Sequence, residues 1–490
     1  MQHYQMFIDG RWVEGSTNER FESVNPYTGK PWATIARGTE DDAARAVEAA
    51  HAAMRKGPWA TMSASARGAL LRKLGDVIAE NAQFLGEVET RDNGKLIAEM
   101  GLQVRYLPQF CYFFGGLADK IEGAVKPVER PGYFNYTRRE PIGVVVAITP
   151  WNSPLMLGVS KIAAALAAGC AVVIKPSEFT SASTLELARL VEKVGFPPGV
   201  FNVVCGYGQD VGAALVRHPK TAKISFTGSE VGGRNVYQAA AHDFKSVTLE
   251  LGGKSPNIVF EDANLDDAVR GAVSGIFAAS GQTCIAGSRL LLHESIHDAF
   301  MERLLVLAKS ARIGNPMLED TQVGPVTTPP QYRKILDYID IAKAEGAELV
   351  LGGGASDVGE WFVQPTIFTN VDNRMRIAQE EVFGPVLSVI KFRDQDEAIS
   401  IANDTMYGLA AGVWTQSVNR MFTVANAIEA GTVWINTYRA ASYTTPFGGY
   451  KNSGVGLESG VEAVEQFLKS KSVWINYAAD VPNPFVMRLT

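Results

Sequence analysis

The feature that most constrains the fold is an alternation of short apolar runs with amphipathic segments, which begins near residue 142. The apolar runs are short enough to be buried strands, at 143–148, 171–174, 201–205 and 223–226. The segments between them carry apolar residues at helical spacing, at 161–168, 184–194 and 210–216. Such strands need cover on both faces, so the pattern predicts a parallel sheet between helices and a nucleotide-binding architecture.

A second α/β segment follows, from Asn257 to about Asn436. Its predicted strands are 256–260 and 386–392, and its predicted helices are 265–279, 296–309 and 331–344. Upstream, Asp9-Gly10 predicts a hairpin turn, and Thr39 is placed to cap a helix that ends near Gly57. The excursion 126–139 and the strand-like 471–477 have few partners nearby in sequence, so we expect an edge that pairs with another subunit.

Length, charge and cysteine content exclude several classes of protein. A chain of 490 residues needs two or more domains, and its net charge of −6 argues against a nucleic-acid partner. Four cysteines without CxxC spacing predict no disulfide framework and no metal site. The first residues lack a signal-peptide pattern, and the apolar region 142–174 is interrupted by Pro150 and Lys161. We therefore expect a cytoplasmic protein without a membrane span.

Cys284 and Glu250 are the strongest candidates for chemistry. Gly281, Ala286 and Gly287 surround Cys284 with small residues that leave the sulfur open to a substrate, whereas the other three cysteines lie in apolar stretches. Glu250 ends an apolar run, and partial burial would raise its pKa toward that of a useful base. A thiolate and a carboxylate base together indicate a covalent reaction in two stages.

Two further segments are candidates for nucleotide binding. Gly228 and Ser229 follow a predicted strand and precede a helix, so backbone N–H groups there would face an anion. Lys175 and Glu178 follow another strand, at the sheet edge where ligands usually bind; a surface ion pair is the plainer interpretation. Two other glycine-rich segments fail as phosphate loops, because Val211 and Thr248 stand where a glycine is needed.

Seven segments, in order, resemble the aldehyde dehydrogenase superfamily over essentially the whole chain. They are Pro150-Trp151-Asn152, Lys175-Pro176-Ser177-Glu178, Phe226-Thr227-Gly228-Ser229, Glu250-Leu251-Gly252-Gly253-Lys254, Gly281-Gln282-Thr283-Cys284, Glu381-Val382-Phe383-Gly384-Pro385 and Pro446-Phe447-Gly448-Gly449-Tyr450-Lys451. The resemblance implies an α/β fold with a Rossmann-like NAD-binding domain, an α/β catalytic domain and a small β oligomerisation domain. We place these domains at 1–121 with 142–251, at 252–451, and at 122–141 with 470–490. A homodimer or homotetramer is expected.

The resemblance also assigns roles to individual residues. Cys284 is expected to be the nucleophile, Glu250 the general base and the Asn152 amide an oxyanion donor, helped by the Cys284 N–H. The expected cofactor-binding residues are Ile148, Trp151, Lys175, Glu178, Gly228, Ser229, Leu251, Glu381 and Phe383. A carboxylate at Glu178 would accept from the ribose 2′-hydroxyl and repel a 2′-phosphate, which predicts NAD over NADP.

The substrate is expected to be a small-molecule aldehyde that is bulky, aromatic or carboxylated. Small residues at several positions of the expected tunnel leave it wide, namely Ser153, Ser160, Ala278 and Ala441, beside Phe447. Leu157, Tyr112 and Phe113 are expected to supply apolar surface. Arg439 is placed to pair with a substrate carboxylate, although a surface or intersubunit ion pair is an equal alternative.

Two other functions compete with NAD-dependent aldehyde oxidation to the acid. A thiolate with a base can also cleave esters, which would make the protein a cysteine hydrolase. A structural homologue that kept the fold and lost the chemistry is the non-enzymatic alternative. The retained Cys284, Glu250 and Asn152 argue against the second, and the nucleotide-site residues argue against the first.

Overall fold

The structure is a computed structural model, and it describes residues 1–478 and residue 485. Its first sheet has eight strands, five of which are parallel neighbours in the order Ser246–Glu250, Thr221–Thr227, Val144–Ile148, Ala171–Lys175 and Phe201–Val203. Numbered along the chain this order is 5-4-1-2-3, the doubly wound arrangement of Rossmann-like sheets. The predicted parallel sheet is confirmed.

Antiparallel strands complete both edges of this sheet. The hairpin of Met6–Ile8 and Arg11–Val13 extends one edge, with Asp9 and Gly10 at positive φ of 54° and 71° in its turn. Gly454–Val455 pairs with Ser246–Glu250 at the other edge. A segment from near the end of the described chain is thereby held beside the strand that ends at Glu250.

Helices cover both faces of the sheet, and several of them lie close to predicted positions. They are Glu40–Lys56, Ala64–Glu80, Ala82–Asn93, Ile97–Leu117, Pro154–Ala168, Ala182–Val194, Ala213–Arg217 and Glu230–Ala241. Thr39 caps the first helix as predicted, with its side chain accepting from the Asp42 N–H. The helix predicted at 161–168 begins earlier, because Pro154 occupies its first turn, where a missing N–H costs nothing.

The second α/β segment forms a seven-stranded sheet. Its order is Glu348–Leu351, Thr366–Thr369, Val386–Phe392, Arg289–His293, Pro256–Val259, Ala410–Trp414 and Thr432–Ile435, antiparallel only at the first pair. Its helices of nine residues or more are Leu265–Phe277, His297–Lys309, Pro329–Ala344, Gln395–Asn403 and Val418–Ala427. The helix predicted at 265–279 ends at Phe277, because Ala279 and Ser280 adopt left-handed φ values of 55° and 52°.

A three-stranded antiparallel sheet, here called the arm, joins Val125–Lys126, Tyr133–Pro141 and Leu468–Asn476. The strand-like 471–477 therefore pairs first within its own chain, from Leu468 opposite Pro141 to Asn476 opposite Tyr133. Part of the predicted oligomerisation segment 470–490 lies outside the described residues. The three domain boundaries stay predictions.

The remaining strands form two small sheets: Gln2–Tyr4, Lys30–Ala36 and Arg20–Asn25 in one, and Tyr407–Gly408 with Tyr450–Lys451 in the other. Within the described residues, no helix combines the length and apolar character needed to cross a bilayer. The same residues contain no cluster of three or more His, Cys, Asp or Glu side chains that could hold a metal ion.

Candidate active site

Cys284 lies on a strained loop between the helix Leu265–Phe277 and the strand Arg289–His293. Three consecutive residues before it, Ala279, Ser280 and Gly281, all have positive φ, at 55°, 52° and 72°. The loop packs closely against the turn that follows Glu250. A Cβ at Gly253 would lie 2.4 Å from the Cys284 carbonyl oxygen, so only glycine permits this approach.

The Cys284 thiol is half-buried, whereas Cys111, Cys170 and Cys205 are fully buried. Burial, with the carboxylates of Glu381 and Glu250, raises the pKa of the Cys284 thiol to about 12. The N–H groups of Ile285 and of Cys284 itself act in the opposite direction. At neutral pH the thiol therefore keeps its proton, and a base or a nearby positive charge is needed to release the thiolate.

The Asn152 side chain faces the Cys284 loop. Its Nδ2 donates to the carbonyl of Gln282, two residues before the nucleophile, at 2.9 Å. Its own carbonyl accepts from Asn93 Nδ2 at 3.2 Å, which fixes the residue from behind. Asn152 is buried just before the helix Pro154–Ala168, so the strand-to-helix turn sets its direction.

Glu250 ends the strand Ser246–Glu250 and is almost completely buried. Among the described residues, neither of its carboxylate oxygens has a hydrogen-bond partner. Burial, followed by repulsion from Glu458, raises its pKa well above 4.5, and Lys161 acts against that rise. Lys161 and Glu458 form a buried ion pair with each other. Glu250 is thus a carboxyl group of raised basicity within electrostatic range of the Cys284 sulfur.

A cavity of about 1020 Å³ opens at the carboxyl ends of the parallel strands in the first sheet. Its lining includes Ile148 and Lys175, two of the predicted cofactor residues, together with Gly212, Phe226 and others. Buried Lys175 donates to Glu178 Oε2 at 3.4 Å, an ion pair at the mouth of this cavity. The Lys175–Glu178 pair therefore lies at a ligand-sized space.

The predicted anion site is the start of the helix Glu230–Ala241. Ser229 caps this helix by accepting from the Gly232 N–H at 3.2 Å, and Gly232 lines the cavity. The remaining N–H groups of the first turn and the helix dipole favour an anion there. Leu251 packs beside this helix, close to Gly233. Gly228 donates to the Glu250 carbonyl at 3.1 Å, which ties this turn to the strand carrying the base.

Glu381 and Phe383 lie on the other side of the nucleophile loop. Glu381 Oε1 accepts from the Gly253 N–H at 2.9 Å, and burial raises the pKa of this carboxyl. Phe383 has a positive φ of 57° and meets the Trp151 ring edge-on at 5.3 Å between centroids. Both residues line a small pocket together with Gly253 and Thr283, beside the nucleophile loop.

The predicted substrate residues differ in how far they are buried and in whether they are already bonded. Ser153 accepts from the buried Lys95 Nζ at 2.9 Å, so its hydroxyl is already bonded. Leu157 and Phe447 are half-buried, and Ala441 is exposed. The expectation for Tyr112 is wrong, because its hydroxyl donates to Asp76 at 2.9 Å and its ring packs against the preceding helix Ala64–Glu80.

Arg439 is not in a surface ion pair. Its Nη2 donates to the carbonyls of Gly275 and Ala278, both at 3.3 Å, and to Thr283 Oγ1 at 3.0 Å. Among the described residues, no carboxylate lies within 4.0 Å of its guanidinium. Arg439 therefore braces the loop that carries Cys284.

Sequence reasoning missed the residues that support the site from behind. Lys161 and Glu458 are 297 positions apart, so no local pattern joins them. Asn93 is the last residue of the helix Ala82–Asn93, and Lys95 follows its Gly94 cap, a place where polar residues are common. A buried lysine in an alanine-rich helix was the available signal for Lys161. Nothing comparable marked Asn93.

Comparison with known proteins agrees with this arrangement. The model of the aldehyde dehydrogenase family matches residues 12–473. The chain is 45% identical over 476 residues to cytosolic aldehyde dehydrogenase 1 of Rattus norvegicus, covering 96% of this chain and 95% of that protein. It is 43% identical over 491 residues to (Z)-2-((N-methylformamido)methylene)-5-hydroxybutyrolactone dehydrogenase of Acinetobacter baylyi, covering 100% of each.

A solved structure has the same fold over nearly the whole chain. Betaine aldehyde dehydrogenase of Staphylococcus aureus in complex with NAD⁺ superimposes with a TM-score of 0.97 at 40% identity, covering 99% of this chain and 97% of that one. The family match includes the whole seven-stranded sheet, most of the eight-stranded sheet and most of the arm. The chain therefore belongs to the aldehyde dehydrogenase family.

Proposed function

We propose that this protein oxidises an aldehyde to the carboxylic acid with NAD, through a covalent bond to Cys284. One observation carries the proposal. The Cys284 loop is faced by the Asn152 amide and lies within electrostatic range of Glu250, a buried carboxyl group of raised pKa. A nucleophile, an oxyanion donor and a base together are the parts that acyl chemistry requires.

The residues present fit a dinucleotide. The cavity of about 1020 Å³ is large enough for one, and the start of Glu230–Ala241 offers N–H groups to its pyrophosphate. Lys175 and Glu178 would hold the adenosine ribose, and Ser229 would lie at the pyrophosphate. Glu381 and Phe383 would hold the nicotinamide end next to Cys284. The NAD⁺ complex of the related Staphylococcus aureus enzyme supports this placement.

We infer NAD rather than NADP from the charge at Glu178. Its Oε2 accepts from Lys175 Nζ, so the lysine is already neutralised where a 2′-phosphate would need it. A carboxylate there accepts from the ribose 2′-hydroxyl and repels a phosphate.

The first chemical step is the attack of Cys284 on the carbonyl carbon. Burial raises the pKa of the thiol to about 12, so it must lose its proton to water as the bond to carbon forms. The carbonyl oxygen gains the electron pair and is held by the Asn152 amide and the Cys284 N–H. Loss of one such donor typically costs roughly 10²–10³ in rate.

The second stage releases the acid. Bound NAD accepts a hydride from the former carbonyl carbon, which leaves a thioester on Cys284. Glu250 then removes a proton from water, the hydroxide attacks the thioester carbon, and the Cys284 thiolate leaves. The thiolate takes the proton back from Glu250, which restores both groups. Aldehyde, NAD⁺ and water give acid, NADH and a proton, so the reaction balances without a metal or a second cofactor.

The substrate is proposed to be wider than a simple aliphatic aldehyde. Small side chains at Ser153, Ser160, Ala278 and Ala441 leave volume beside the nucleophile, which suits a bulky, aromatic or carboxylated aldehyde. The name of the Acinetobacter baylyi relative specifies a formamide and a hydroxyl group on a lactone, which supports a substrate of some polarity.

We also propose a homodimer or homotetramer in the cytoplasm. Trp474 and Ile475 are 52% and 47% exposed. Adjacent residues of a strand point to opposite faces, so both faces of the arm are open to a second copy. The name of the rat relative, a cytosolic enzyme, supports the location.

Absorbance at 340 nm tests the function directly. Mixing the protein with NAD and a panel of aliphatic, aromatic and carboxylated aldehydes is expected to produce NADH, and Cys284→Ser is expected to abolish it. Ester cleavage without NADH would favour a cysteine hydrolase, and no turnover of either kind would favour a silent homologue.

A further inference from the structure

Three polar atoms beside the nucleophile loop are buried without a hydrogen-bond partner among the described residues. They are Glu99 Oε2, Gln103 Oε1 and Arg439 Nε. Buried polar atoms in folded proteins are nearly always bonded, so an unbonded group at a functional site points to something that binds there. Two of the atoms are acceptors and one is a donor.

The rest of each charged side chain is anchored to the Cys284 loop. Glu99 Oε1 accepts from the Ala279 N–H at 2.7 Å, and Arg439 Nη2 donates to Ala278 O and to Thr283 Oγ1. Glu99 and Arg439 therefore hold the loop from two sides, and one polar atom of each side chain has no hydrogen-bond partner among the described residues.

Gln103 follows Glu99 by one turn of the helix Ile97–Leu117, so the two share a face. The next residue on this face, Tyr106, accepts from the Tyr443 N–H at 3.2 Å and donates to the Ala441 carbonyl at 3.5 Å. This face of the helix thus spans from the nucleophile loop to the segment that carries Arg439 and Ala441.

The unbonded atoms disfavour a carboxylate as the recognised group. Glu99 Oε2 and Gln103 Oε1 are both acceptors, so a substrate carboxylate would bring further acceptor oxygens against them. An uncharged group that both donates and accepts hydrogen bonds suits such a place better.

We propose that Glu99, Gln103 and Arg439 form a polar recognition face for an uncharged aldehyde that carries an amide or a similar hydrogen-bonding group. Arg439 Nε donates to the substrate's acceptor oxygen, and Glu99 Oε2 and Gln103 Oε1 accept from its N–H or O–H groups. This inference rests on the proposed function. It makes an amide-bearing aldehyde a better substrate than a carboxylated or a purely apolar one.

Three para-substituted benzaldehydes test the face, with a carboxamide, a carboxylate or an isopropyl substituent. They have the same branching at the end group and differ in its polarity and charge. NADH formation gives kcat/KM for each. The wild-type protein is expected to prefer the carboxamide to the carboxylate by about 10-fold or more, the scale of one good hydrogen bond in discrimination.

Variants separate recognition from damage to the catalytic loop. Gln103→Leu is expected to lower the ratio of kcat/KM for the carboxamide to kcat/KM for the isopropyl compound about 10-fold. The two aldehydes differ in intrinsic reactivity, but this difference is the same for the variant and the wild type and cancels when their ratios are compared. Gln109→Leu is the matched control, since six residues further along the helix it faces away from Gln103, and the ratio should not change. Glu99→Gln places a donor where an acceptor stood and should raise the carboxylate-to-carboxamide ratio.

Each other outcome overturns the inference. Preference of the wild type for the carboxylate would indicate that Arg439 acts as a carboxylate clamp, and equal ratios in wild type and Gln103→Leu would remove the face from recognition. NADH from propanal but from none of the benzaldehydes would mean that no substrate group reaches the face. In all three cases NAD-dependent aldehyde oxidation through Cys284 stands, although the third would also contradict the proposed wide substrate, whereas failure of propanal as well would contradict the oxidation itself.

Discussion

At the scale of single residues, the site depends on side chains whose burial is costly. Glu250 is a buried carboxyl group whose two oxygens have no hydrogen-bond partner in the part of the chain that the structure describes, and the repulsion of Glu458 adds to that cost. Apolar neighbours in the sequence were enough to predict that Glu250 is buried, and small neighbours were enough to set Cys284 apart from the other cysteines. They could not reveal Lys161 with Glu458, because only the fold brings positions 297 apart into contact.

The raised pKa of Glu250 predicts a pH-dependent cost in stability. The folded-state pKa exceeds the unfolded value of about 4.5, so the carboxyl stabilises the fold below that pH, and this contribution is lost as pH rises. Gln does not titrate, so the stability of Glu250→Gln relative to wild type should increase as pH rises from 5 to 8. Thermal unfolding across this range measures it. Glu122→Gln, at an exposed position, is the control. A difference in stability between Glu250→Gln and wild type that does not change with pH would contradict this explanation.

Glu178 predicts the cofactor preference. Glu178→Gln removes the negative charge and frees Lys175 to pair with a 2′-phosphate. We expect kcat/KM for NADP to rise about 10-fold while that for NAD falls less, since the amide still accepts from a ribose hydroxyl. Steady-state kinetics with both cofactors measures it. Comparable kcat/KM with both cofactors in the wild type would refute the argument that the Glu178 carboxylate excludes NADP.

At the scale of elements, local sequence patterns predicted most of the helix and turn positions, and long-range contacts account for the boundaries that differ. Thr39 caps its helix as predicted, and the Asp9-Gly10 turn forms its hairpin. The predicted helix 265–279 fails at its end, because the left-handed Ala279 and Ser280 turn the chain toward the nucleophile. Such strain is held by tertiary contacts, here the bond from the Ala279 N–H to Glu99, and no propensity predicts it.

Asn93 is predicted to position Asn152 at the end of its strand-to-helix turn. Asn93→Ala removes the bond to the Asn152 carbonyl and should lower kcat about 10-fold, less than the roughly 10²–10³ expected for Asn152→Ala. Because Asn93 acts through Asn152, the double variant should be no slower than Asn152→Ala alone. The KM for NAD should stay within about two-fold in Asn93→Ala. Additive losses in kcat would show that Asn93 acts independently.

At the scale of the whole molecule, the order of the motifs along the chain predicted the architecture better than any one of them. Strand–helix alternation predicted the doubly wound sheet, and the seven segments predicted a second α/β unit and an arm. The pairing of Leu468–Asn476 with Tyr133–Pro141 was not predicted, because the two strands lie more than 300 residues apart. The arm has exposed apolar side chains, and a charged substitution among them tests whether a second copy of the chain packs there.

Ile475→Asp tests the role of the arm. A charge on this 47%-exposed position should prevent a second copy from packing there and shift the protein toward monomers. Sedimentation velocity measures the distribution. Phe84→Asp, at an equally exposed position away from the arm, should keep the wild-type distribution. A wild-type monomer, or an oligomer that survives Ile475→Asp unchanged, would contradict the proposed assembly surface.

The central claim is that Cys284 bonds covalently to the substrate while NAD takes the hydride, and Glu250→Gln isolates that step. Without its base the variant should release the acid roughly 10²–10⁴ times more slowly. Stopped-flow absorbance at 340 nm should then show one NADH formed per active site, followed by slow turnover. Mass spectrometry of the quenched protein should find the acyl group on the peptide that contains Cys284. A burst without acylation of that peptide, or undiminished turnover in Cys284→Ser, would contradict the account.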